Sequence, residues 1–496
     1  MSNPSPTMMQ GDSGVVGLNQ LLRGGYLRNR MYLIVGTHGT GKTTLCSHFV
    51  EAGLDAGETA LFVHGEESAS ELRENAAQFG IDIAGAEFLD LGPDSAFFEK
   101  DETYDLVDAS EVEGKRYTEQ IREAITEIDP DRLVIDPITQ LRYIEASDYH
   151  YRKRVLSLIR FLKEHEITVL GTTSVSDTHS TASEILSISD GVVRLSRSET
   201  GRRIEVEKNR GRGQQSGTHG VEIRAHGVEV FPKLTPPESP AERRGLDPVA
   251  TGVGELDSLT GGGFEHGTTT FISGPPGVGK TTVGAYFLFW AAQQGETAAV
   301  YLFEERIETF EKRCRAIGLP IDALRDDGRL KLTRIEPNAM SAEEFANIVR
   351  TDVVDGGVTT AMIDGFSGYT TSIQGEQDTL KRDLHALLRH LNELDVAVFM
   401  TEAVHQITGL TSATSRNISP LADNLLFLTY VELGGSLGRV IGMLKKRTGS
   451  FESGIREFEI TDEGVQLGAP LDHLQGLLEG TPSTRGHRLE SSDTEP

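Results

Sequence analysis

The chain has 496 residues, of which 37% are apolar and 25% charged, the composition of roughly two to four globular domains rather than of a fibrous or disordered protein. Its 48 basic and 75 acidic residues leave a net charge of −27, and so negative a surface repels phosphate backbones and disfavours nucleic acid as a general partner. No apolar run approaches the roughly 18 residues of a membrane helix, and the start MSNPSPTMMQGDSG lacks the basic-then-apolar pattern of a signal peptide, so the expected location is cytoplasmic, without a membrane anchor.

In chain order, residues 1–13 read as a tail, and a first domain is expected over 14–231. MYLIV (Met31 to Val35) is a short apolar strand. It feeds GTHGTGKTT, from Gly36 through Thr37, His38, Gly39, Thr40, Gly41, Lys42 and Thr43 to Thr44. That stretch fits G-x-x-x-x-G-K-[ST], whose glycines let backbone N–H groups curl around phosphates at the start of a helix. Lys42 is placed to neutralise β- and γ-phosphates, and Thr43 to offer a hydroxyl to Mg²⁺.

TALFVH is the next strand, and Glu66-Glu67 stands at its C-terminal end, the edge that faces ligand in an open parallel sheet. A carboxylate there can orient and deprotonate an attacking water or accept a proton from a hydroxyl. RLVI ends at Asp136, where a carboxylate that holds Mg²⁺, directly or through water, belongs. Val155, Leu158, Ile159 and Leu162 recur at helical spacing, ITVLGTT follows as a strand, and VVRLSR, RRIEVEK and VEIRA read as consecutive antiparallel strands. Lys208 and Arg210 lie late on this run. Cations so far along the chain often act as fingers on a neighbour's nucleotide.

Residues 232–248, PKLTPPESPAERRGLDP, read as a semi-stiff linker. Beyond it the chain repeats itself. A shift of 238 positions lays Gly14, Val15, Leu18 and Leu21 on Gly252, Val253, Leu256 and Leu259, and GETA at Gly57 on GETA at Gly295. A second domain is therefore expected over 249–480, with 481–496 as a polar, disordered tail.

The second loop runs Gly274, Pro275, Pro276, Gly277, Val278, Gly279, Lys280, Thr281, Thr282. Glu304-Glu305 repeats the glutamate pair, Asp364 repeats the strand-terminal aspartate, and Lys445 and Arg447 repeat the late cations. Leu380, Leu384, Leu387, Leu388 and Leu391 mark a helix before VAVFMTE. Cys46 and Cys314, the only cysteines, argue against a disulfide framework and a zinc site. The fold class expected is α/β: two tandem P-loop NTPase domains, each a mainly parallel sheet flanked by helices with antiparallel strands added at the end. ATP and Mg²⁺ are the ligands the loops imply.

These features together resemble the KaiC family, the tandem RecA-like ATPases that include the cyanobacterial clock protein. GEES at Gly65 to Ser68, FEER at Phe303 to Arg306, and LTYVELGGSLGRVIGMLKKRTGSFESGIREFEITDEG from Leu428 to Gly464 carry the resemblance. It implies a hexameric double ring with ATP at subunit interfaces. It implies that Glu66, Glu67, Glu304 and Glu305 are catalytic. It also implies that Lys208, Arg210, Lys445 and Arg447 reach the γ-phosphate of a neighbouring subunit. A serine/threonine autokinase activity in the second domain and a regulatory protein partner, unidentified by any motif, belong to the same expectation. Where the clock protein autophosphorylates an adjacent Ser-Thr pair, this chain has NISPLADN, so Ser419 is followed by Pro420. One hydroxyl is lost, and Ser419, with Thr414 and Ser415 nearby, remains as the phosphosite expectation. The acid excess with 13 lysines against 35 arginines resembles proteins of salt-loving microbes. Alternatives are a RecA-type DNA-acting ATPase, opposed by the acidity, and a slow nucleotide-gated scaffold.

Overall fold

A computed structural model describes residues 10–92, 109–140, 148–174, 185–198, 201–235, 247–374, 377–404, 421–433, 435–476 and 483–484. The chain divides into two compact units, Met1–Lys233 and Leu234–Pro496.

In the first unit the chain order is β1 (Met31–Gly36), α1 (Lys42–Asp55), β2 (Ala60–His64), α2 (Ala69–Gln78), β3 (Glu87–Asp90), α3 (Ala109–Ile128) and β4 (Arg132–Asp136). Then follow α4 (Asp148–Glu164), β5 (Thr168–Thr173), β6 (Gly191–Ser198), β7 (Gly201–Asn209), β8 (Thr218–Arg224) and β9 (Gly227–Phe231). One nine-stranded sheet results, in the order β3-β2-β4-β5-β1-β6-β7-β8-β9. The pairings from β3 to β6 are parallel, and those from β6 to β9 antiparallel. The expected mixed sheet is thus present.

The central strand explains why the sheet is covered on both faces. In β1, Tyr32 and Ile34 enter one apolar cluster with Leu45, Phe49 and Val50 of α1. Met31, Leu33 and Val35 enter another with Val155, Leu158, Ile159 and Leu162 of α4. Alternating side chains of a strand point to opposite faces, so a continuous apolar run supplies two cores.

The second unit contains β10 (Thr269–Gly274), α5 (Lys280–Gln293), β11 (Ala298–Leu302), α6 (Ile307–Ala316), β12 (Leu330–Arg334), α7 (Ala342–Val354), β13 (Thr360–Asp364) and α8 (Phe366–Ser372). It continues with α9 (Gln377–Glu393), β14 (Ala397–Ala403), β15 (Asn424–Leu433), β16 (Ser436–Lys446), β17 (Arg456–Thr461) and β18 (Gly464–Pro470). The sheet order β12-β11-β13-β14-β10-β15-β16-β17-β18 is the topology of the first unit again. The leucines of α9 expected as a helical stripe are all buried in one cluster.

The margins of the sequence reading shift slightly. Gln10–Gly11, read as tail, pairs antiparallel with Tyr26–Leu27. Leu234, read as linker, packs on the apolar cluster that holds α9. Ser483–Thr484, read as disordered, pairs with Leu474–Gln475. Among the described residues no helix is long and apolar enough to cross a membrane.

Candidate functional site

Each phosphate loop joins the central strand of its sheet to the helix behind it. In the first, Gly39 and Gly41 adopt φ of 71° and 96°, and in the second Gly277 and Gly279 adopt 76° and 114°. Gly41 and Gly279 are the N-cap residues of α1 and α5, and neither helix has a side-chain cap. The first N–H groups of both helices are therefore offered to a ligand instead of a capping side chain, with the positive end of the helix dipole behind them. A Cβ on Gly41 would lie 2.6 Å from Ile223 Cδ1, and one on Gly279 would lie 2.7 Å from Ile460 Cδ1. The antiparallel end of each sheet thus packs over its own loop.

Lys42 Nζ donates to Thr37 O at 3.0 Å, and Lys280 Nζ donates to Pro275 O at 2.9 Å. Burial lowers the pKa of both lysines, against the raising fields of Asp136 and Glu66 for Lys42 and of Asp364, Glu304 and Glu402 for Lys280. In each unit the lysine and the strand-end carboxylates thus share one small region.

The aspartates sit beside the loop threonines. Thr43 Oγ1 donates to Asp136 Oδ2 at 2.8 Å, and Thr281 Oγ1 donates to Asp364 Oδ1 at 2.9 Å. Parallel register sets this: His64 lies opposite Asp136, and Leu302 opposite Asp364. Both glutamate pairs therefore emerge two residues beyond the aspartate's level. Asp364 is almost fully buried, and burial raises its pKa in spite of hydrogen bonds from Thr401 and Thr281.

The glutamates of a pair differ in their surroundings. Glu304 Oε1 accepts from Gly368 N at 3.2 Å. Glu305 is gripped by Arg313, and Glu67 accepts from Asn75 Nδ2 at 2.9 Å. Glu66 and Glu67 directly precede a capping box in which Ser68 and Glu71 satisfy each other's backbone N–H groups at the start of α2, which fixes where the strand gives way to the helix. In the first unit these groups line one cleft of about 390 Å³ that holds Lys42, Thr43, Glu66, Glu67, Asp136 and Thr172.

The family model for the KaiC ATPase matches residues 11–235 and again 249–472. The chain belongs to the KaiC ATPase family. It is similar to the circadian clock oscillator protein KaiC of Parasynechococcus marenigrum, with 27% identity over 499 residues that cover 97% of this chain and 94% of that one. It is likewise similar to the protein of that name from Thermostichus vulcanus, with 28% identity over 498 residues that cover 96% and 91%. The KaiC of Prochlorococcus marinus strain MIT 9313 is 27% identical over 499 residues, 97% and 96% of the two chains.

Within this KaiC-family chain the late cations lie far from the loop of their own unit. Lys208 pairs with Val192, which is level with Leu33, and its Nζ donates to Leu186 O and Ser187 O at 2.8 and 2.9 Å. Arg210 Nη2 donates to the same Ser187 O at 2.9 Å. Arg210 is level with the start of β1 and Lys208 with its third residue, whereas the loop leaves from its end. In the second unit Lys445 Nζ donates to Ala422 O, and Arg447 Nη1 lies 3.1 Å from Asp423 Oδ1. Neither pair is brought to the phosphate loop of its own unit. Ser419, Ser415 and Thr414 lie outside the described residues.

Sequence reasoning missed three features. Thr172 and Thr401 each donate to the strand-end aspartate, Thr172 Oγ1 to Asp136 Oδ1 and Thr401 Oγ1 to Asp364 Oδ1, the latter at 2.7 Å. Their signal was a threonine at matching places in ITVLGTT and VAVFMTE. Arg202 of β7 lines the first cleft, and among the described residues its buried Nε has no hydrogen-bond partner. Glu402, buried where the first unit has Thr173, adds a carboxylate that acts on Lys280.

Proposed function

We propose that both units bind and hydrolyse Mg-ATP, that each site is completed by a neighbouring copy of the chain in a hexameric double ring, and that the protein serves as a regulatory ATPase. The observation that carries this reading is the doubled arrangement of loop lysine, loop threonine, strand-end aspartate and glutamate pair, in one topology, twice.

In each site the loop N–H groups and the helix N-terminus receive the phosphates, and Lys42 or Lys280 turns from its loop carbonyl to neutralise them. Glu66 and Glu304, the pair members that act on the lysines, orient the attacking water. Its oxygen bonds to the γ-phosphorus while the bond from phosphorus to the β–γ bridging oxygen breaks. The electron pair leaves on ADP, and the water's proton passes to a carboxylate of the pair, Glu66 or Glu67 in the first site and Glu304 or Glu305 in the second. Thr43 with Asp136, and Thr281 with Asp364, are hard oxygen donors side by side and fit Mg²⁺, which keeps waters and phosphate ligands and needs only one or two protein groups. When bound, Mg²⁺ neutralises charge that develops on the phosphates. Lys208, Arg210, Lys445 and Arg447 serve the γ-phosphate of the adjacent subunit; their position on added antiparallel strands, back along the sheet from their own loop, supports that role.

The test uses γ-labelled ATP with the wild type, Glu66→Gln/Glu67→Gln and Glu304→Gln/Glu305→Gln, following released phosphate and protein-bound label in one tube. Phosphate release that falls in both variants supports the reading, and release unchanged in both refutes it. A persistent monomer in saturating Mg-ATP refutes the ring. The second reading is autokinase activity at the second site. β14 ends at Ala403, level with Gly274 of the loop, and the segment with Ser419 follows. Label that stays on the protein and vanishes in the second variant alone supports this reading and makes Ser419 the first residue to map.

A further inference from the structure

Asn75 and Arg313 fall on each other at the repeat offset of 238, and both contact the second glutamate of their pair. Asn75 gives Glu67 one amide hydrogen bond of 2.9 Å. Arg313 gives Glu305 two bonds, from Nη1 to Oε2 at 3.0 Å and from Nη2 to Oε1 at 2.5 Å. Both carboxylate oxygens are thus held by one planar guanidinium, the strongest and most directional form of ion pair between side chains.

The grip is itself supported. The Arg313 guanidinium carbon lies 5.5 Å from the ring centroid of Phe310, one turn earlier on α6. Leu72 stands at the matching place in the first unit and offers no such ring. The Glu305 side chain is 18% exposed and that of Arg313 35% exposed, so the pair is screened less than a surface ion pair. Glu304 meanwhile accepts from the Gly368 N–H of α8, so the two glutamates are held by different helices.

We infer that Arg313 is a positioning residue that withholds Glu305 from the second site's chemistry, so that Glu304 alone handles the proton there while the first site keeps both Glu66 and Glu67. The inference rests on the acid–base role proposed above for the glutamates. Burial raises the Glu305 pKa in spite of the opposing pull of Arg313, but with both oxygens bound to the guanidinium the ion pair must open before a proton can be accepted. The second site then turns over more slowly than the first, with identical lysine, threonine and aspartate. One substitution inside a duplicated helix divides the labour of the two copies.

The experiment uses the full chain with the other site silenced, by Lys42→Ala when the second is read and by Lys280→Ala when the first is read. Phosphate release at saturating ATP and affinity for a fluorescent ATP analogue are measured together. Arg313→Asn raises second-site release about tenfold at unchanged affinity. Arg313→Lys, which keeps the charge but lacks the fork, gives a smaller rise. The gain disappears in Arg313→Asn/Glu305→Gln. Asn75→Arg lowers first-site release. Release that stays constant or falls in Arg313→Asn, or a loss of affinity with it, overturns the inference, since Arg313 would then be idle or serve the nucleotide. The Asn75→Arg arm decides the matter if Arg313→Asn does not fold, and first-site release unchanged by it overturns the inference as well. Glu304→Gln separates the premises: if it leaves second-site release at the wild-type level, the acid–base reading itself has failed.

Discussion

Replacing Thr401 by valine tests how the second site holds its aspartate. Thr401 is 2% exposed. Its hydroxyl donates to Asp364 Oδ1 at 2.7 Å and accepts from Gly365 N at 2.8 Å. Valine keeps the shape and loses both bonds. Removing a bond to a charged group costs about 1.5–3 kcal/mol, and a buried N–H left without an acceptor costs about 1–3 kcal/mol. Because the two share one hydroxyl, their sum of about 2.5–6 kcal/mol is an upper range. Thr172→Val in the first unit removes the bond to Asp136 and is expected to cost about 1.5–3 kcal/mol. At about 2–4 °C per kcal/mol for a domain of this size, Thr401→Val lowers the second unit's melting transition by about 5–24 °C. Thr172→Val lowers the first unit's by less. Scanning calorimetry of nucleotide-free protein reads both. Equal shifts, or a Thr401→Val shift under about 1 °C, refute the argument, for they would mean that the Gly365 N–H finds another acceptor or that the hydroxyl is not buried.

Three further outcomes are expected. Gly41→Ala and Gly279→Ala place a Cβ at φ of 96° and 114° against Ile223 and Ile460, which costs about 1–3 kcal/mol of strain and displaces the loop; nucleotide titration should show ATP affinity lost in the altered site alone. His48 Nε2 accepts from Val228 N at 3.0 Å, and burial lowers its pKa from 6.5. The unfolded chain therefore binds the proton first, and stability present above about pH 6.5 is lost as pH falls through the lower folded value. His48→Tyr, which copies Tyr286 of the second unit, should flatten denaturant midpoints measured across that range. Finally, Lys208→Ala/Arg210→Ala subunits and Lys42→Ala subunits, each weak in first-site release, should recover activity when mixed in Mg-ATP. Recovery absent from mixed rings would place those cations outside the neighbour's site.

Much of the site was legible because it depends on short-range spacing. A glycine loop between an apolar strand and a helix, a glutamate pair 24 residues beyond its lysine, and an aspartate ending a strand are local patterns, and each occurs twice at a constant or nearly constant offset. Apolar runs of strand length and leucines at helical spacing were enough for a parallel sheet covered on both faces, since side-chain period alone says which residues are buried.

What the chain order could not disclose are contacts between residues far apart in sequence. Thr172 meets Asp136 only because β5 lies beside β4 in parallel register. His48 and Tyr286, at the same place in α1 and α5, both accept a backbone N–H from the terminal hairpin of their sheet, at Val228 and Val465. Nothing local marks an imidazole and a phenol as equivalents. Asn75 and Arg313 are ordinary polar positions of amphipathic helices until folding turns each toward its glutamate. The late cations were legible as cations, but their distance from the loop of their own unit follows from the antiparallel pairing of β7 with β6 and of β16 with β15. Sequence by itself determined the duplication, the phosphate loops and the carboxylates, because backbone conformation and burial period are written in neighbouring residues. Tertiary structure decided which groups hold those carboxylates, because strand register and helix facing bring together side chains that the chain order keeps apart.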